Sequence, residues 1–187
     1  GGTLVIPFGT YIVGEQTYVH DNDWCYAPAD IIAITGCTKP IIIEGNGAIL
    51  KAANGLKFGS FDPATGLPYT PGSLPFTDAK YAAGVYKMIN LVDNTGPISI
   101  RDLELDGNIA NAVLGGDWGD QGIQLQYTGI QLIGNSQVTI DNVNSHHHGL
   151  DGLIIGWPSI TNTVSYPHTV LNSTFNYNGR QGMSVVG

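Results

Sequence analysis

Basic residues are the scarcest feature of this chain. Lys and Arg total 7 against 15 Asp and Glu in 187 residues, leaving a net charge of −8. Nucleic acid is excluded as a partner on this ground, because binding it needs basic surface to displace counterions. A polyanionic substrate would need a bridging cation, and Ca²⁺ is the ion that such an oxygen-rich, acidic chain would take. Long apolar runs are missing too. Nothing approaches the ~20 residues of a bilayer span, so membrane insertion is not expected. Helical periodicity is nearly absent; only "FTDAKYAAGVYKMINL", from Phe76, could hold a turn or two, and "AAG" interrupts it. There are two cysteines, Cys25 and Cys37. They are either two thiols or, in a secreted protein, a disulfide closing a short loop. No signal peptide is visible. The chain opens on a strand-like run and stops inside a repeat, so it is expected to be a processed form or a fragment of a longer chain.

What is present is Gly, Asn, Thr and Ser in quantity without low-complexity tracts, the composition of a turn-rich β protein. Three segments align residue for residue: "ISIRDLELDGN" from Ile98, "VTIDNVNSHHHG" from Val138 and "HTVLNSTFNYNG" from His168. "IIIEGNGAIL" from Ile41 is an earlier, looser copy. The starts lie 57, 40 and 30 residues apart, so the repeat carries insertions of varying length. Apolar and polar residues alternate within each copy, the signature of strands. Each copy is too short to bury its own apolar face, so neighbours must stack. Glycines coincide at Gly149 with Gly179 and at Gly152 with Gly182. Asp102, Asn142 and Asn172 fall at equivalent turn positions and predict a ladder of side-chain bonds. A β-sandwich does not predict such alignment; a parallel solenoid, one coil per copy, does.

The opening "GGTLVIPFGTYIV", the "IIIEGNGAIL" segment and the "VTIDNVNS" type of repeat resemble right-handed parallel β-helix proteins of the pectate-lyase-like superfamily. The resemblance spans most of the chain and is poorest from Asn54 to Lys87. It implies an all-β fold, a single right-handed parallel β-helix over residues 1–187 with loop insertions. It also implies a secreted or cell-surface protein that meets a polysaccharide or cell-surface glycan. The superfamily holds lyases, glycoside hydrolases, epimerases, tailspikes and adhesins, so the fold alone selects no activity.

If Ile98, Ile100, Leu103 and Leu105 point inward, Glu104 and Asp106 point outward. The alignment then places Asp106, His146 and Asn176 in one outward column and Glu104, Asn144 and Thr174 in a second. Asp106 beside His146 suits acid–base chemistry. The same column also fits a solvated polar ladder. On a continuing strand His147 points away from His146 and His148, and a corner would turn it elsewhere. Three consecutive histidines therefore do not converge on one ion, and no metal site is expected; zinc would need His146 and His148 with a carboxylate from another coil.

Asp151, in "HGLDGL", reads either as a turn cap or as a catalytic acid or base. Its segment loosely resembles the "GxDGxxI" element of pectin-degrading hydrolases. The chain has no consecutive Asp pair, no "GHG" and no "RIK", so no catalytic set carries over whole. The insertion Asn108 to Gly122 offers Asp117, Trp118 and Asp120, a sugar platform flanked by acids or a loop with its own small core. Arg180 is a candidate for binding an acidic sugar. Hydrolysis by carboxylates is the leading activity, ahead of Ca²⁺-assisted elimination, with Asp106, His146 and Asp151 as catalytic candidates. The competing expectation is a non-catalytic fibre, adhesin or tailspike segment that associates with itself.

Overall fold

The computed structural model describes residues 1–19, 24–70, 79–116, 125–156 and 167–186. Within them the protein is built from three sheets, nearly all of whose strand pairs are parallel, and no α-helix is present among the described residues. The chain visits the sheets in the same order on each pass. The first pass supplies β1 (Gly2–Val5) and β2 (Thr10–Val13), then β3 (Gln16–Tyr18) and β4 (Tyr26–Pro28), then β5 (Ile32–Thr35). The second supplies β6 (Ile41–Ala52), β7 (Lys57–Ser60) with β8 (Ala82–Ala83), and β9 (Lys87–Val92). The third supplies β10 (Ile98–Asp106), β11 (Val113–Gly115) and β12 (Thr128–Ile133). The fourth supplies β13 (Val138–His146) and β14 (Asp151–Gly156), and the fifth β15 (Thr169–Leu171), β16 (Thr174–Asn176) and β17 (Gln181–Val186).

The register matches the spacing of the sequence repeats. Ile98 pairs with Ile41 and with Val138, while Thr139 pairs with Thr169. Asp151 opposes Gln181 in the third sheet, which sets Gly149 above Gly179. A Cβ at Gly179 would run into the Gly149 carbonyl, and one at Gly152 would lie 2.8 Å from the Gly182 carbonyl, so these stacked positions exclude larger residues. The antiparallel pairs, β3–β4 and β7–β8, lie in the second sheet, and β7 and β8 fall in the stretch where the repeat is least legible. Among the described residues of the segment that begins at Phe76, Ala79–Tyr81 forms a 3₁₀ turn before the chain becomes extended.

Inward positions form one large core, and Cys25, Phe61 and Ala83 a small second cluster beside it. Ile43, Ile100 and Ile140 stack from repeat to repeat, as do Leu50, Leu105 and Ser145, a hydroxyl standing where the two preceding repeats have leucine and the next has Phe175. Phe58, Tyr86 and Tyr127 fill the centre edge to face. The core spacing steps by two, then three, then two along β10, and Asp102 is the reason. Its φ of 54° turns the strand without exposing Leu103, and Asn142 (φ 53°) and Asn172 (φ 48°) do the same one and two repeats on. Asp and Asn tolerate this left-handed region better than other non-glycine residues. Asn142 donates to Asp102 Oδ1 at 2.7 Å, so that rung of the ladder forms; Asn172 donates to Asp141 at 2.8 Å instead.

Candidate functional site

The outward face of the first sheet carries two columns of polar side chains. In the first, Asp106 lies between Lys51 and His146, and His146 between Asp106 and Asn176. In the second, Glu104, Asn144 and Thr174 are register partners. The columns are cross-linked. His146 Nε2 lies 3.2 Å from Glu104 Oε1, and Thr174 donates to Asn144 Oδ1 at 2.6 Å. Lys51 Nζ donates to Asp106 Oδ2 at 2.7 Å, while the Asn108 N–H donates to Oδ1 at 2.8 Å. Burial alone would push the Asp106 carboxyl up. Lys51, the Asn108 N–H and the nearby His146 outweigh it and hold the group below the ordinary carboxylate value. Asp106 is therefore a permanent anion at neutral pH.

The three histidines part company at a corner. His147 has φ 56°, so the strand ends there and its ring folds back instead of pointing to the opposite face. It stacks on Tyr177, 5.3 Å between centroids and nearly parallel, and its Nδ1 comes 2.6 Å from Nδ1 of His146. Asp106 Oδ1 is 3.9 Å from the same His146 nitrogen. Since a carboxylate only accepts, the Glu104 contact assigns the proton of a neutral His146 to Nε2 and leaves Nδ1 as a bare lone pair. The chain turns a corner at His147, the alternative to a continuing strand, and the corner brings its ring back against His146.

His148 turns inward and is wholly buried. The Ser145 hydroxyl donates to the Gly152 carbonyl at 2.9 Å, so His148 Nε2, 3.1 Å away, donates to the hydroxyl oxygen. Burial, helped by the charge of His146, lowers the His148 pKa to about 3. Its backbone N–H donates to Asn178 Oδ1. Asn108 and Asn178 hold the same position in the flanking repeats, and their side chains bond backbone carbonyls, of Ala52 and of Ser145 respectively. His148 is thus a structural member of an internal asparagine ladder, out of reach of any ligand on the outer face.

Two openings flank these columns. A trough of about 360 Å³ is lined by Asp102, Glu104, Asn142, Asn144, Asn172 and Thr174, with Gly47 at its edge. A smaller cavity of about 190 Å³ lies between Lys51, Asp106, Asn108, Ala110 and His147. The sequence pattern marks Asp102, Asn142 and Asn172 as a scaffold ladder alone. Their left-handed backbone also places them at the trough wall.

Asp151 does not join this face. It begins a strand of the third sheet and is wholly buried, with Arg180 Nε 2.9 Å from Oδ1 and Nη2 2.6 Å from Oδ2. Ser184 donates to Oδ2 and the Gln181 N–H to Oδ1. Every favourable direction on the carboxylate is taken, so neither catalytic reading nor turn cap fits; Asp151 and Arg180 clamp the fourth repeat to the fifth. Asn176, by contrast, is exposed in the column where it was expected. Asp117, Trp118 and Asp120 lie outside the described residues. Part of the insertion expected as a loop is scaffold, because β11 pairs with β7. Cys25 and Cys37 are both free thiols; Cys25 is buried, which pushes its pKa up to about 11.

No known protein family, no curated protein and no solved structure matches the chain.

Proposed function

We propose that the chain is a single right-handed parallel β-helix of the pectate-lyase-like kind, secreted or displayed on a cell surface, and that it binds an extended polysaccharide along the outer face of its first sheet. The trough carries this reading. It crosses three repeats and presents amides, a hydroxyl and two carboxylates, groups that bond vicinal sugar hydroxyls in pairs. Neighbouring repeats are about 4.8 Å apart, comparable to the advance of an extended glycan per sugar unit.

Hydrolysis is favoured over elimination. Both arginines of the chain are engaged in ion pairs, Arg101 with Glu44 and Arg180 with Asp151, and Lys51 is held by Asp106. Glu104 and Asp106 face outward two residues apart on one strand, about 6.6 Å between Cα atoms. Both carboxylates lie against one imidazole, Glu104 Oε1 3.2 Å from Nε2 and Asp106 Oδ1 3.9 Å from Nδ1 of His146. Glu104 is the carboxyl group placed to act in such a step, with His146 and Asp106 beside it.

The test is calorimetric titration with a panel of neutral and acidic oligosaccharides, followed by reducing-end assays. At least one glycan should bind, and Asn144→Ala with Thr174→Ala should weaken it about tenfold or more, as expected when buried sugar hydroxyls lose partners. Glu104→Gln should abolish any reducing-end release. A panel in which nothing binds, or binding indifferent to Asn144→Ala and Thr174→Ala, would refute the reading.

One observation favours a structural module instead. Val5, Phe8 and Ile12 of the first repeat and Met183, Val185 and Val186 of the fifth are exposed, Phe8 by 82% and Val185 by 70%. Such faces suit end-to-end association. Sedimentation that shifts with concentration, and stops shifting in Val185→Asp, would support it.

A further inference from the structure

We propose that Asp106, His146 and His147 form a binding site for a first-row divalent transition ion of the Zn²⁺ class, with a coordination position left open toward the cavity beside Lys51 and Asn108. One ligand atom from each lies within 4.8 Å of the other two. The two Nδ1 atoms are 2.6 Å apart, and Asp106 Oδ1 is 3.9 Å from the nearer one. Ligands at about 2.0–2.1 Å from a tetrahedral ion sit about 3.3 Å apart, between these two values, and the Asp106–His147 pair, within 4.8 Å, closes to that distance by a shift of up to about 1.5 Å, which the exposed His147 can supply.

Three features prepare the corner for a cation. Glu104 accepts a hydrogen bond from the Nε2–H of His146, which leaves the Nδ1 lone pair facing His147 and Asp106, as carboxylates behind metal-bound imidazoles do. Tyr177 holds the ring of His147 in place by stacking. The left-handed backbone of His147, uncommon for a non-glycine residue, is what makes the convergence possible. The local charge is also suitable: Asp106 and Glu104 outnumber Lys51, which occupies only the far oxygen of Asp106. Two imidazoles and one carboxylate select Zn²⁺, Co²⁺ or Ni²⁺; Ca²⁺ wants six to eight oxygens, which this corner does not supply. The cavity of about 190 Å³ leaves room for water or a ligand on the ion.

Ion binding here requires no glycan, so it is tested in the absence of one and fails separately from the glycan reading. The untagged, chelator-stripped full chain is titrated with Co²⁺, read by visible d–d absorption, and with Zn²⁺, read by calorimetry. The expected result is one ion per chain that excess Ca²⁺ does not displace. His147→Asn, which tolerates the same backbone, and Asp106→Asn should each weaken binding at least about hundredfold, and Glu104→Gln about tenfold. Cys37→Ser should leave it unchanged, and melting curves show that each variant is folded. Absence of Co²⁺ uptake, displacement by Ca²⁺, loss of binding in Cys37→Ser, or undiminished binding in folded His147→Asn would each overturn the proposal.

Discussion

His146 and His147 are consecutive, yet their Nδ1 atoms face each other at 2.6 Å. Consecutive residues of a strand point to opposite faces, so the pairing depends wholly on the left-handed backbone of His147. Outside glycine that conformation costs about 1–2 kcal/mol. His147→Ala should therefore be less stable than His147→Gly by about that amount, although glycine is the worse residue in an ordinary strand. Both variants lose the Tyr177 stack, so it cancels in the comparison. Urea melts of the two in a chelator decide it; alanine equal to or above glycine would contradict the geometry.

His148 makes stability depend on acid. Its folded pKa of about 3 lies below the value near 6.5 of an unfolded chain. The unfolded state therefore binds the proton that the folded state refuses. The stabilisation is fully present above pH 6.5 and is lost progressively as the pH falls toward 3, by up to about 1.4 kcal/mol per unit. His148→Asn, which restores the residue of the flanking repeats, should flatten most of that slope. A smaller slope of the same sign should survive, since burial also lowers the pKa of His168, whose Nδ1 accepts the Val138 N–H. Denaturant midpoints between pH 7.5 and 4, with chelator present, measure both.

The clamp between Asp151 and Arg180 should show itself as stability and not as activity. Arg180→Ala strands a buried carboxylate and should cost about 3–5 kcal/mol. Asp151→Asn should cost less, about 1–3 kcal/mol, because the partly exposed guanidinium can reach water. Below its melting temperature, Asp151→Asn should bind glycan and metal ion like the native chain. A selective loss of either would return Asp151 to the site.

The architecture was legible wherever one residue type recurs at a fixed place in each repeat. Ile43, Ile100 and Ile140, the stacked glycines and the corner residues Asp102 and Asn142 all behave as their alignment implies, because each needs only its equivalent in the next repeat. The columns of Glu104 and Asp106 followed from the same reasoning. What escaped are residues whose partners are not their equivalents. Asp151 aligns with Gln181, but its partner is Arg180, one position earlier, and nothing in strand periodicity brings that pair together. The corner at His147 was legible, but not the direction of its turn, because a histidine stands there where the other corner of the sheet uses Asp or Asn. One signal could have found it: Asn108, His148 and Asn178 share one inward position, so the residue before His148 must be where the chain bends.

The left-handed residues at Asp102, Asn142 and Asn172 set the angle of the first sheet from within each repeat, by backbone conformation alone. The three repeats that carry them start 40 and 30 residues apart, and their faces stay in register. Loop length and surface alignment are therefore independent variables in this protein. The rim of the trough is therefore the natural place for changes in length that alter what the face recognises.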